Sequence, residues 1–583
     1  MPNALLVYPK NPITFWSFDE ALKIAGKKSV FQPAGLLTVA GMLPKDYKIR
    51  VIDTNVNRLN DDDMRWADVV LTSSMIIHWK PTQDLIKKSN EFEKPILIGG
   101  PLATQYFNEM DGYGNFFLGE AEQGFMENLE KMVLEGYKPE RTIIDKRKIF
   151  SNLENVPIQR FDLIQDSFKD YIAMAIQITR GCPEHCTFCN IPSLYGNTTR
   201  TKQGKKVLQE LQLLHDLGWK GSIMMVDDNL VGNQESIMPL LSDVEQWQKE
   251  HDYPFSFFTQ ASLRMYDNPK LMEAMRNAGF GQVFFGLESP SEESLKFMGG
   301  QKNLQSKNGG NKKTMLEKIK KIQEYYFKAQ AGFIIGFDTD PDNISELMKD
   351  FIQKSRISIA MVGPLGILPD TPDYSRYLKQ DRLVKDVRYA GDSGIFTRQL
   401  SYIPHDRDGN VIDKNVILNR HREVVEYINS AEMYFSRTLE YLKNRKRKSL
   451  AKIPIELSNI KALFRSFYHQ GIKSNYKKVY WNYLWEVCKN DFHDFADAIS
   501  YAVEGHHLIT TTEESLKVED INTTLEKLLS NADELSLSIR EMGYGCIRDI
   551  VDRYNSIKDE FKEQVDVKKY RDLTTRFSPY ERA

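Results

Sequence analysis

The chain is poor in cysteine, with only five among its 583 residues. Three of them fall within eight residues, whereas Cys488 and Cys546 stand alone far downstream. A disulfide framework would instead distribute paired cysteines over a small secreted domain. The distribution therefore excludes a disulfide-rich secreted protein and predicts one local metal site in a reducing compartment.

Other features are also absent from the sequence. It has no run of about 18 apolar residues, so we expect no membrane-spanning helix. The N-terminus, MPNALLVYPKN, enters an apolar strand pattern without a basic region or a cleavage site, which predicts a cytoplasmic protein without a signal peptide. The formal net charge of -2 excludes a polyanion-binding surface over the whole chain. No repeat of solenoid period is present.

Residues 1–135 alternate short β-rich runs with helical runs. This alternation predicts an α/β domain with a doubly wound, Rossmann-like parallel sheet. Ligands of such sheets bind at the carboxyl ends of the strands. The loops of interest therefore follow Pro9, Asp53, Ser74 and Gly99–Gly100.

Three further regions are predicted after this domain. Residues 136–171 are interpreted as a linker. Residues 172–375 contain about five or six strand–helix units, which predicts a partial (β/α)6 barrel instead of the eight units of a full one. The pattern then becomes helical, which predicts an accessory domain over 376–510 and a helical extension over 511–583.

The region 437–478 is strongly basic and includes KNRKRK at 443–448. A solvated basic face is one interpretation, and contact with anionic lipid headgroups or RNA is the alternative. We expect no nucleic-acid partner for the whole chain. Four aromatic residues of the predicted helical domain recur at helical spacing and are predicted to form ordinary core, with the lining of an apolar cavity as the alternative: Phe464, Tyr468, Trp481 and Trp485.

The three clustered cysteines form the pattern Cys182-x-x-x-Cys186-x-x-Cys189, directly after a predicted strand over 175–181. A [4Fe–4S] cluster normally takes one thiolate per iron, so three cysteines leave one iron open for another ligand. Gly181 would permit close backbone approach to the cluster. The alternatives are three incidental thiols or a zinc site. Zinc usually has a fourth Cys or His nearby, and His185 lies awkwardly between two ligands.

Several segments extend this motif into a family resemblance. ITRGCPEHCTFCNIPSLYG, VDDNLVGN, FTQASL, FFGLESP and AGFIIGFD occur in this order. Together they resemble the radical S-adenosylmethionine (SAM) superfamily, and specifically the cobalamin-binding-domain branch that contains the hopanoid C-2 methylase. The resemblance covers residues 1 to about 480. It implies a cobalamin-type domain, a radical SAM partial barrel and a helical domain.

The resemblance also implies site residues and cofactors. The three cysteines would hold a [4Fe–4S] cluster, with SAM chelating the fourth iron. SAM contacts are implied for polar residues at strand ends: Asp227, Asp228, Gln260, Ser262 and Glu288. Either aspartate would hold the methionine ammonium by a charge-assisted bond, and Asp338 is a further candidate. Each of these residues could instead be an ordinary polar residue that caps a helix.

Cobalamin binding is implied with one departure from the pattern. Other cobalamin domains carry Asp-x-His-x-x-Gly after the first strand, whereas this loop reads PKNPITFWSF and has no histidine. Ser73, Ser74, Gly99 and Gly100 are the small residues that correspond to the passage for the nucleotide tail. Cobalt bound without a protein nitrogen and a degenerate domain without cofactor both stay open. His78 is interpreted as a surface or hydrogen-bonded loop histidine.

The resemblance implies C-methylation of an unactivated carbon in an apolar small molecule or lipid. An electron donor such as flavodoxin or ferredoxin would be a partner, and peripheral contact with the inner membrane face is expected for a lipid substrate. The alternatives are a cobalamin-free or non-methylating radical reaction, such as C–C bond formation, cyclisation or rearrangement, and a non-enzymatic membrane- or RNA-binding scaffold. A methylthiotransferase is disfavoured because residues 1–135 contain no second set of three cysteines.

Overall fold

The computed structural model describes the chain except residues 301, 305–312, 326, 385–398, 447–449, 453–455 and 543–583, with backbone only for 518–519 and 521–542. Most of the polar segment 300–313, which is predicted to be a loop or flexible insertion, and much of the extension predicted over 511–583 lie outside the described residues. No helix in the described ranges is both long and apolar enough to cross a membrane.

The N-terminal domain is built on six parallel strands in the order β2-β1-β3-β4-β5-β6. The strands are β1 (Asn3–Tyr8), β2 (Lys48–Asp53), β3 (Val69–Ser73), β4 (Ile96–Gly99), β5 (Gly114–Leu118) and β6 (Arg141–Asp145). The helices are α1 (Asp19–Ala25), α2 (Ala34–Met42), α3 (Asp61–Trp66), α4 (Trp79–Glu91), α5 (Gly100–Tyr106) and α6 (Phe125–Glu135). The strand order reverses between β1 and β3, where doubly wound sheets form their ligand crevice.

The predicted linker over 136–171 is wrong in part. Its residues 141–145 form β6, the edge strand of the first sheet, in parallel register with β5. The sequence RTIID gives a weak strand signal because an edge strand buries little, and no residue of β6 is fully buried. Only the remainder connects the domains, through a 3-10 helix at Phe161–Asp170.

The second domain is a six-stranded parallel half-barrel in the order β14-β13-β12-β11-β10-β7, as predicted. Its strands are β7 (Ala173–Ile176), β10 (Gly221–Met225), β11 (Phe255–Ala261), β12 (Phe280–Glu288), β13 (Lys328–Ile335) and β14 (Ile359–Pro364), with a small hairpin of β8 (Thr179–Arg180) and β9 (Arg200–Thr201). The helices are α7 (Ile191–Tyr195), α8 (Gly204–Asp216), α9 (Gln234–Glu250), α10 (Pro269–Asn277), α11 (Glu292–Phe297), α12 (Met315–Glu324) and α13 (Ile344–Ser355).

Alternation along the barrel strands separates two faces. In β11, Phe255 and Phe257 are buried, and the Phe255 ring stacks on Trp247 of α9 at 5.5 Å between centroids. The alternate residue Phe258 faces the other way and lies 5.9 Å from the ring of Phe31 in the N-terminal domain. The barrel therefore packs on its helices outside and on the first domain across its inner face.

The C-terminal part is mostly helical, as predicted. It contains α14 (Pro372–Lys379), α15 (Lys414–Ile428), α16 (Ala431–Asn444), α17 (Leu457–Ser466), a π-helical segment at Phe467–Lys473, α18 (Lys477–Asn490) and α19 (Phe495–Met542). The boundary predicted between 510 and 511 is wrong because α19 runs through it. No glycine or proline occurs over 506–541 to end the helix there.

The long helix α19 fixes the loop after β1. The His507 Nε2–H, 3.1 Å from each acceptor, donates to the carbonyl oxygens of Thr14 and Phe15. His507 Nδ1 accepts from the backbone N–H of Glu20 at 3.4 Å. Burial lowers the pKa of His507 to about 4. The helical region thereby fixes the loop after β1, in which the Asp-x-His-x-x-Gly motif of cobalamin domains is missing.

This buried neutral histidine predicts a pH dependence. Its contribution to stability is complete above the unfolded-state pKa of about 6.5 and is lost as the pH falls towards 4, because the unfolded chain takes up the proton first. We expect the free energy of unfolding of the wild type to fall by about 2 kcal/mol relative to His507→Gln between pH 6.5 and 5. Urea unfolding of both proteins at each pH measures this difference. A pH-independent difference would show that His507 is not held neutral.

Candidate active site

The cysteine loop starts at the end of β8, where the backbone turns sharply. Gly181 has a φ of +88°, and a Cβ at this position would lie 2.4 Å from the carbonyl oxygen of Thr198 and 2.8 Å from that of Tyr195. Only glycine fits this turn. We expected Gly181 to allow approach to a cluster, whereas the structure assigns it to packing against the chain that follows α7.

The three thiols lie in one buried environment. Cys186 is buried, and Cys182 and Cys189 are half-buried. Burial raises the pKa of all three, to about 11 for Cys186 and about 12 for Cys189. All three lie in the short loop between β8 and α7, where the backbone N–H of Cys189 donates to the carbonyl of Cys186 at 3.2 Å. Metal binding to these thiols would therefore release protons.

The arrangement fits a cluster better than a single metal ion. In the described part of the chain, no group of three His, Cys, Asp or Glu side chains is placed to hold one ion. A cluster binds its cysteines through separate irons, so the thiolates need not converge on one point. His185 is exposed, which removes the candidate fourth zinc ligand.

Contacts from three directions hold the loop in place. Glu184 forms an ion pair with Arg264, with 3.0 Å between Oε1 and Nε. The backbone N–H of Thr187 donates to the carbonyl of Met298 at 2.9 Å. The Phe188 ring lies 6.3 Å from that of Phe337 beyond β13. These contacts pre-position the cysteines before any cofactor binds.

Asp227 and Asp228 follow β10 and both bind the backbone that leads into the loop. Asp227 Oδ1 accepts from the N–H groups of Ile178 and Thr179, and Asp228 Oδ2 accepts from that of Gly181 at 2.8 Å. Burial raises the pKa of Asp227 to about 7. Asp227 Oδ2 is buried and has no hydrogen-bond partner among the described residues, which leaves it available to a ligand.

Asn229 joins the end of β11 to the cysteine loop, a role that the sequence reasoning missed. Its Oδ1 accepts from the N–H of Ser262 at 3.1 Å, and its Nδ2 lies 3.9 Å from Cys182 Sγ. Ser262 Oγ is buried without a partner in the described residues, whereas Gln260 is exposed. Asn229 stands in the quoted segment VDDNLVGN, but nothing there distinguishes it from a helix cap.

Glu288 ends β12 in the left-handed region, with a φ of +65°. Its Oε1 lies 3.3 Å from Lys302 Nζ. Burial alone would lower the pKa of Lys302, but Glu288 and the three cysteines hold it well above its ordinary value. Lys302 was also missed, since it lies in a polar segment without any pattern. A half-buried ammonium, paired with Glu288, therefore lies in the electrostatic environment of the three thiols.

Asp338 forms an ion pair with Arg382. Its two carboxylate oxygens accept from Nη1 and Nη2 of Arg382, both at 2.7 Å. A bidentate pair of this kind is strong and directional. The structure therefore gives Asp338 a structural partner instead of a place among the residues around the cysteines.

The predicted cobalamin residues meet at one edge of the first sheet. A Cβ on Gly100, whose φ is +86°, would lie 2.7 Å from Ser73 Oγ and 2.8 Å from the Ser74 backbone. A Cβ on Gly99, in contrast, would meet no atom closer than 3.9 Å, and one on Gly35 none closer than 3.8 Å. The edge thus combines a tight contact at Gly100 with two glycines at which a Cβ would make only ordinary van der Waals contact.

His78 is buried and hydrogen-bonded at both ring nitrogens. Nδ1 accepts from the N–H of Met75 at 3.2 Å, and Nε2 lies 2.6 Å from Asn11 Oδ1. Burial lowers the pKa of His78 to about 4. It is the only histidine in residues 1–135, so in this arrangement the N-terminal domain offers no free imidazole.

The same edge of the first sheet lies against the cysteine loop. Gln105 of α5 accepts from Asn190 Nδ2, next to Cys189, at 2.9 Å. Glu120, which follows β5, binds Arg200 at 2.7 Å and Arg180 at 3.3 Å. The carboxyl edge of one sheet therefore faces the carboxyl edge of the other, with the cysteine loop between them.

Two family models match different parts of the chain: the radical SAM superfamily over residues 176–351 and a domain of unknown function, DUF4070, over residues 371–520. The uncharacterized methyltransferase sll1242 of Synechocystis sp. is 31% identical, covering 91% of this chain and 95% of its own length. The chain belongs to the radical SAM superfamily.

Two further relatives of this radical SAM enzyme also align over most of the chain. The hopanoid C-2 methylase of Rhodopseudomonas palustris is 26% identical, covering 92% of this chain and 97% of its own length. The structure of the cobalamin-dependent SAM radical enzyme OxsB, with aqua-cobalamin and SAM bound, matches with a TM-score of 0.54 at 16% identity, over 97% of this chain and 84% of OxsB. That likeness shows the fold.

Membership assigns the cysteine loop its cofactors. Cys182, Cys186 and Cys189 hold the [4Fe–4S] cluster, which together with SAM supplies a carbon-centred radical. The SAM contacts of Asp227, Asp228, Gln260, Ser262 and Glu288 stay predictions. The unpartnered oxygens of Asp227 and Ser262 favour those two.

Proposed function

We propose that this chain is a cobalamin-dependent radical SAM methyltransferase that methylates an unactivated carbon of an apolar, lipid-type substrate. One observation carries the proposal: the crevice-bearing edge of the first sheet lies against the cysteine loop, through Gln105 and Asn190. A cofactor in that crevice would share one space with SAM. The names of the two relatives that align over most of their length support methyl transfer.

The residues of the N-terminal edge fit cobalamin with one restriction. The small side chains of Gly35, Ser73 and Gly99 at this edge suit the close approach of a nucleotide tail. Cobalamin, when bound, would carry the methyl group between SAM and the substrate carbon. Because both nitrogens of His78 are engaged, we propose that this domain holds the cofactor without a histidine ligand to cobalt.

The chain's own residues orient SAM and exclude water. Among the described residues, Asp227 Oδ2 and Ser262 Oγ are a buried acceptor and a buried hydroxyl without partners at the ends of β10 and β11. Lys302 offers a half-buried cation near the cysteines. On the opposite side, the Trp16 ring lies 5.4 Å from Phe284 of β12. This aromatic contact closes the gap between the loop after β1 and the barrel, which protects a radical from solvent.

An apolar substrate follows from the proposed relationship to the hopanoid C-2 methylase, whose name gives its own substrate class. The fold alone does not fix a substrate. An electron donor of the flavodoxin or ferredoxin type is proposed as the source of the reducing electron. The missing histidine motif favours one rival, a radical SAM reaction without cobalamin and without methyl transfer.

Anaerobic reconstitution with SAM labelled in its methyl group tests the proposal. We expect cobalamin to bind at about one per chain, 5′-deoxyadenosine to form, and label to enter an apolar molecule extracted from lipid fractions. The rival predicts 5′-deoxyadenosine without transferred label. An active enzyme that contains no cobalt would contradict the proposed function.

A further inference from the structure

The part of the chain that matches DUF4070 contains a helix whose buried side is polar and whose exposed side is apolar. In α17 the only fully buried residue is Ser466, and in the π-helical segment after it the buried residues are Gln470 and Gly471. The large apolar residues lie on the opposite, exposed side: Leu457, Ile460, Phe464, Tyr468 and Ile472. A helix that contributes only to a protein core has the reverse arrangement.

The exposed residues form one stripe. They follow one another at intervals of three or four residues, so they share one face of the helix. Phe464 is 66% exposed and Ile472 is 62% exposed. Single exposed apolar residues are common on protein surfaces, but a contiguous row of them indicates an interaction site. We predicted Phe464 and Tyr468 as core from the same spacing, and that prediction is wrong because spacing does not tell which face meets solvent.

Helix α18 extends the stripe sideways. Trp481 Nε1 donates to the carbonyl of Gly471 at 2.9 Å, and its ring lies 5.2 Å from that of Phe467. A Cβ on Gly471 would come within 2.6 Å of the Trp481 ring, so glycine is required for this close packing. One turn further along α18, Trp485 is 69% exposed. The stripe and the two tryptophans form one apolar face. We predicted Trp481 and Trp485 as core, and their exposure shows that this prediction is wrong.

The helical segments that form this face carry a net positive charge. Residues 457–490 contain six basic residues and one acidic residue, Glu486. Five of the basic residues are exposed lysines that pair with no carboxylate in the described part of the chain: Lys461, Lys473, Lys477, Lys478 and Lys489. Lys473 Nζ lies 5.0 Å from the Tyr468 ring centre. Its charge therefore lies at the margin of an aromatic surface.

We infer that this face of α17, the π-helical segment and α18 docks onto an anionic lipid membrane. Trp and Tyr side chains favour the boundary between headgroups and acyl chains, and lysines beside them favour anionic headgroups while their stems stay in the apolar layer. Apolar anchors combined with a basic border are typical of helices that lie in the membrane surface. A second copy of this chain fits less well, because a symmetric contact would place like charges opposite each other.

This inference gives the region that matches DUF4070 a role of its own. It goes beyond the proposed function and does not rest on it, since docking needs neither SAM nor a methyl acceptor. Membrane contact would bring an apolar substrate to the enzyme if the proposed function holds. The experiment below measures binding without any turnover, so its failure and the failure of methyl transfer are distinguishable.

Vesicle co-sedimentation tests the docking surface with the full-length protein. We expect the wild type to bind vesicles of phosphatidylcholine with about 30 mol% phosphatidylglycerol, and to bind pure phosphatidylcholine vesicles far more weakly. Phe464→Ala/Trp485→Ala should weaken binding about tenfold or more through lost apolar insertion. Lys477→Glu/Lys478→Glu should weaken it to a similar degree. Circular dichroism would verify that these exposed substitutions leave the fold intact.

Matched controls come from the N-terminal domain. Leu134→Ala removes a leucine side chain that is 86% exposed. Lys45→Glu/Lys48→Glu reverses the charge of two exposed lysines. Both variants should bind vesicles like the wild type. Equal binding of the wild type to both kinds of vesicle would overturn the inference, as would no binding at all. A wild-type dimer in ultracentrifugation that Phe464→Ala/Trp485→Ala converts to a monomer would assign the face to self-association and also overturn it.

Discussion

The variants Cys182→Ala, Cys186→Ala and Cys189→Ala should each purify with iron near background and form no detectable 5′-deoxyadenosine. Each thiol binds a different iron, so the loss of one leaves the cluster without an anchor on that side. We expect SAM cleavage to fall more than about 100-fold, beyond what loss of a residue that merely supports a metal ligand costs. Iron analysis and chromatography of the SAM cleavage products after anaerobic reconstitution measure both effects.

Cys488→Ala provides the control for this series. Cys488 is a half-buried thiol of α18, outside the cysteine loop, and its replacement should leave iron content and SAM cleavage unchanged. Wild-type iron content in any of the three loop variants would contradict the assignment of that cysteine. Loss of iron in Cys488→Ala would show that the effect reflects general instability instead of ligand loss.

Glu120→Ala should destabilise the protein by about 3 kcal/mol, because it leaves the half-buried Arg200 without a carboxylate partner and leaves Arg180 with Glu122 alone. Burial by itself would raise the pKa of Glu120, but the Arg200 hydrogen bond and the charge of Arg180 hold it below its ordinary value. Ser151 N–H donates to the same carboxylate at 2.8 Å. Urea unfolding of the wild type and the variant measures the expected loss.

The same substitution should also lower the iron content. Arg180 directly precedes Gly181 and the first cysteine. Without the ion pair between Arg180 and Glu120, the start of the cysteine loop and the contact between the two sheets should both become less rigid. Asp62→Ala is a suitable control because Asp62 pairs with Arg65 on the surface, where both side chains are largely exposed. Exposed ion pairs contribute little to stability, so we expect Asp62→Ala to change neither the free energy of unfolding nor the iron content. Equal effects of both substitutions would contradict a special role for Glu120.

The features that the sequence could predict share a local origin. The strand–helix alternation predicted both parallel sheets, and the spacing of Cys182, Cys186 and Cys189 predicted the cofactor loop, because neighbouring residues carry these signals. The edge strand β6 was missed since it buries too little to show a clear pattern. The boundary placed within α19 was wrong because composition changes along a helix that continues.

The residues that sequence reasoning missed depend on contacts between distant segments. Glu120, Arg180 and Arg200 come from two domains and meet only in the folded chain. Lys302 is brought to the cysteines by the turn after α11, and Asn229 becomes important because Cys182 and Ser262 lie on either side of it. No spacing rule relates these positions.

The sequence by itself determined the class of fold, the cluster ligands and the family, since these depend on local periodicity and on a short motif. Only the tertiary structure decided which polar atoms stay unpaired beside the cysteines, that His78 has no free nitrogen, and that the apolar side of α17 faces outward. The physical reason is that burial and hydrogen bonding are properties of neighbours in space. A one-dimensional pattern specifies the side chains of a helix, but the surrounding fold decides which of them meet water.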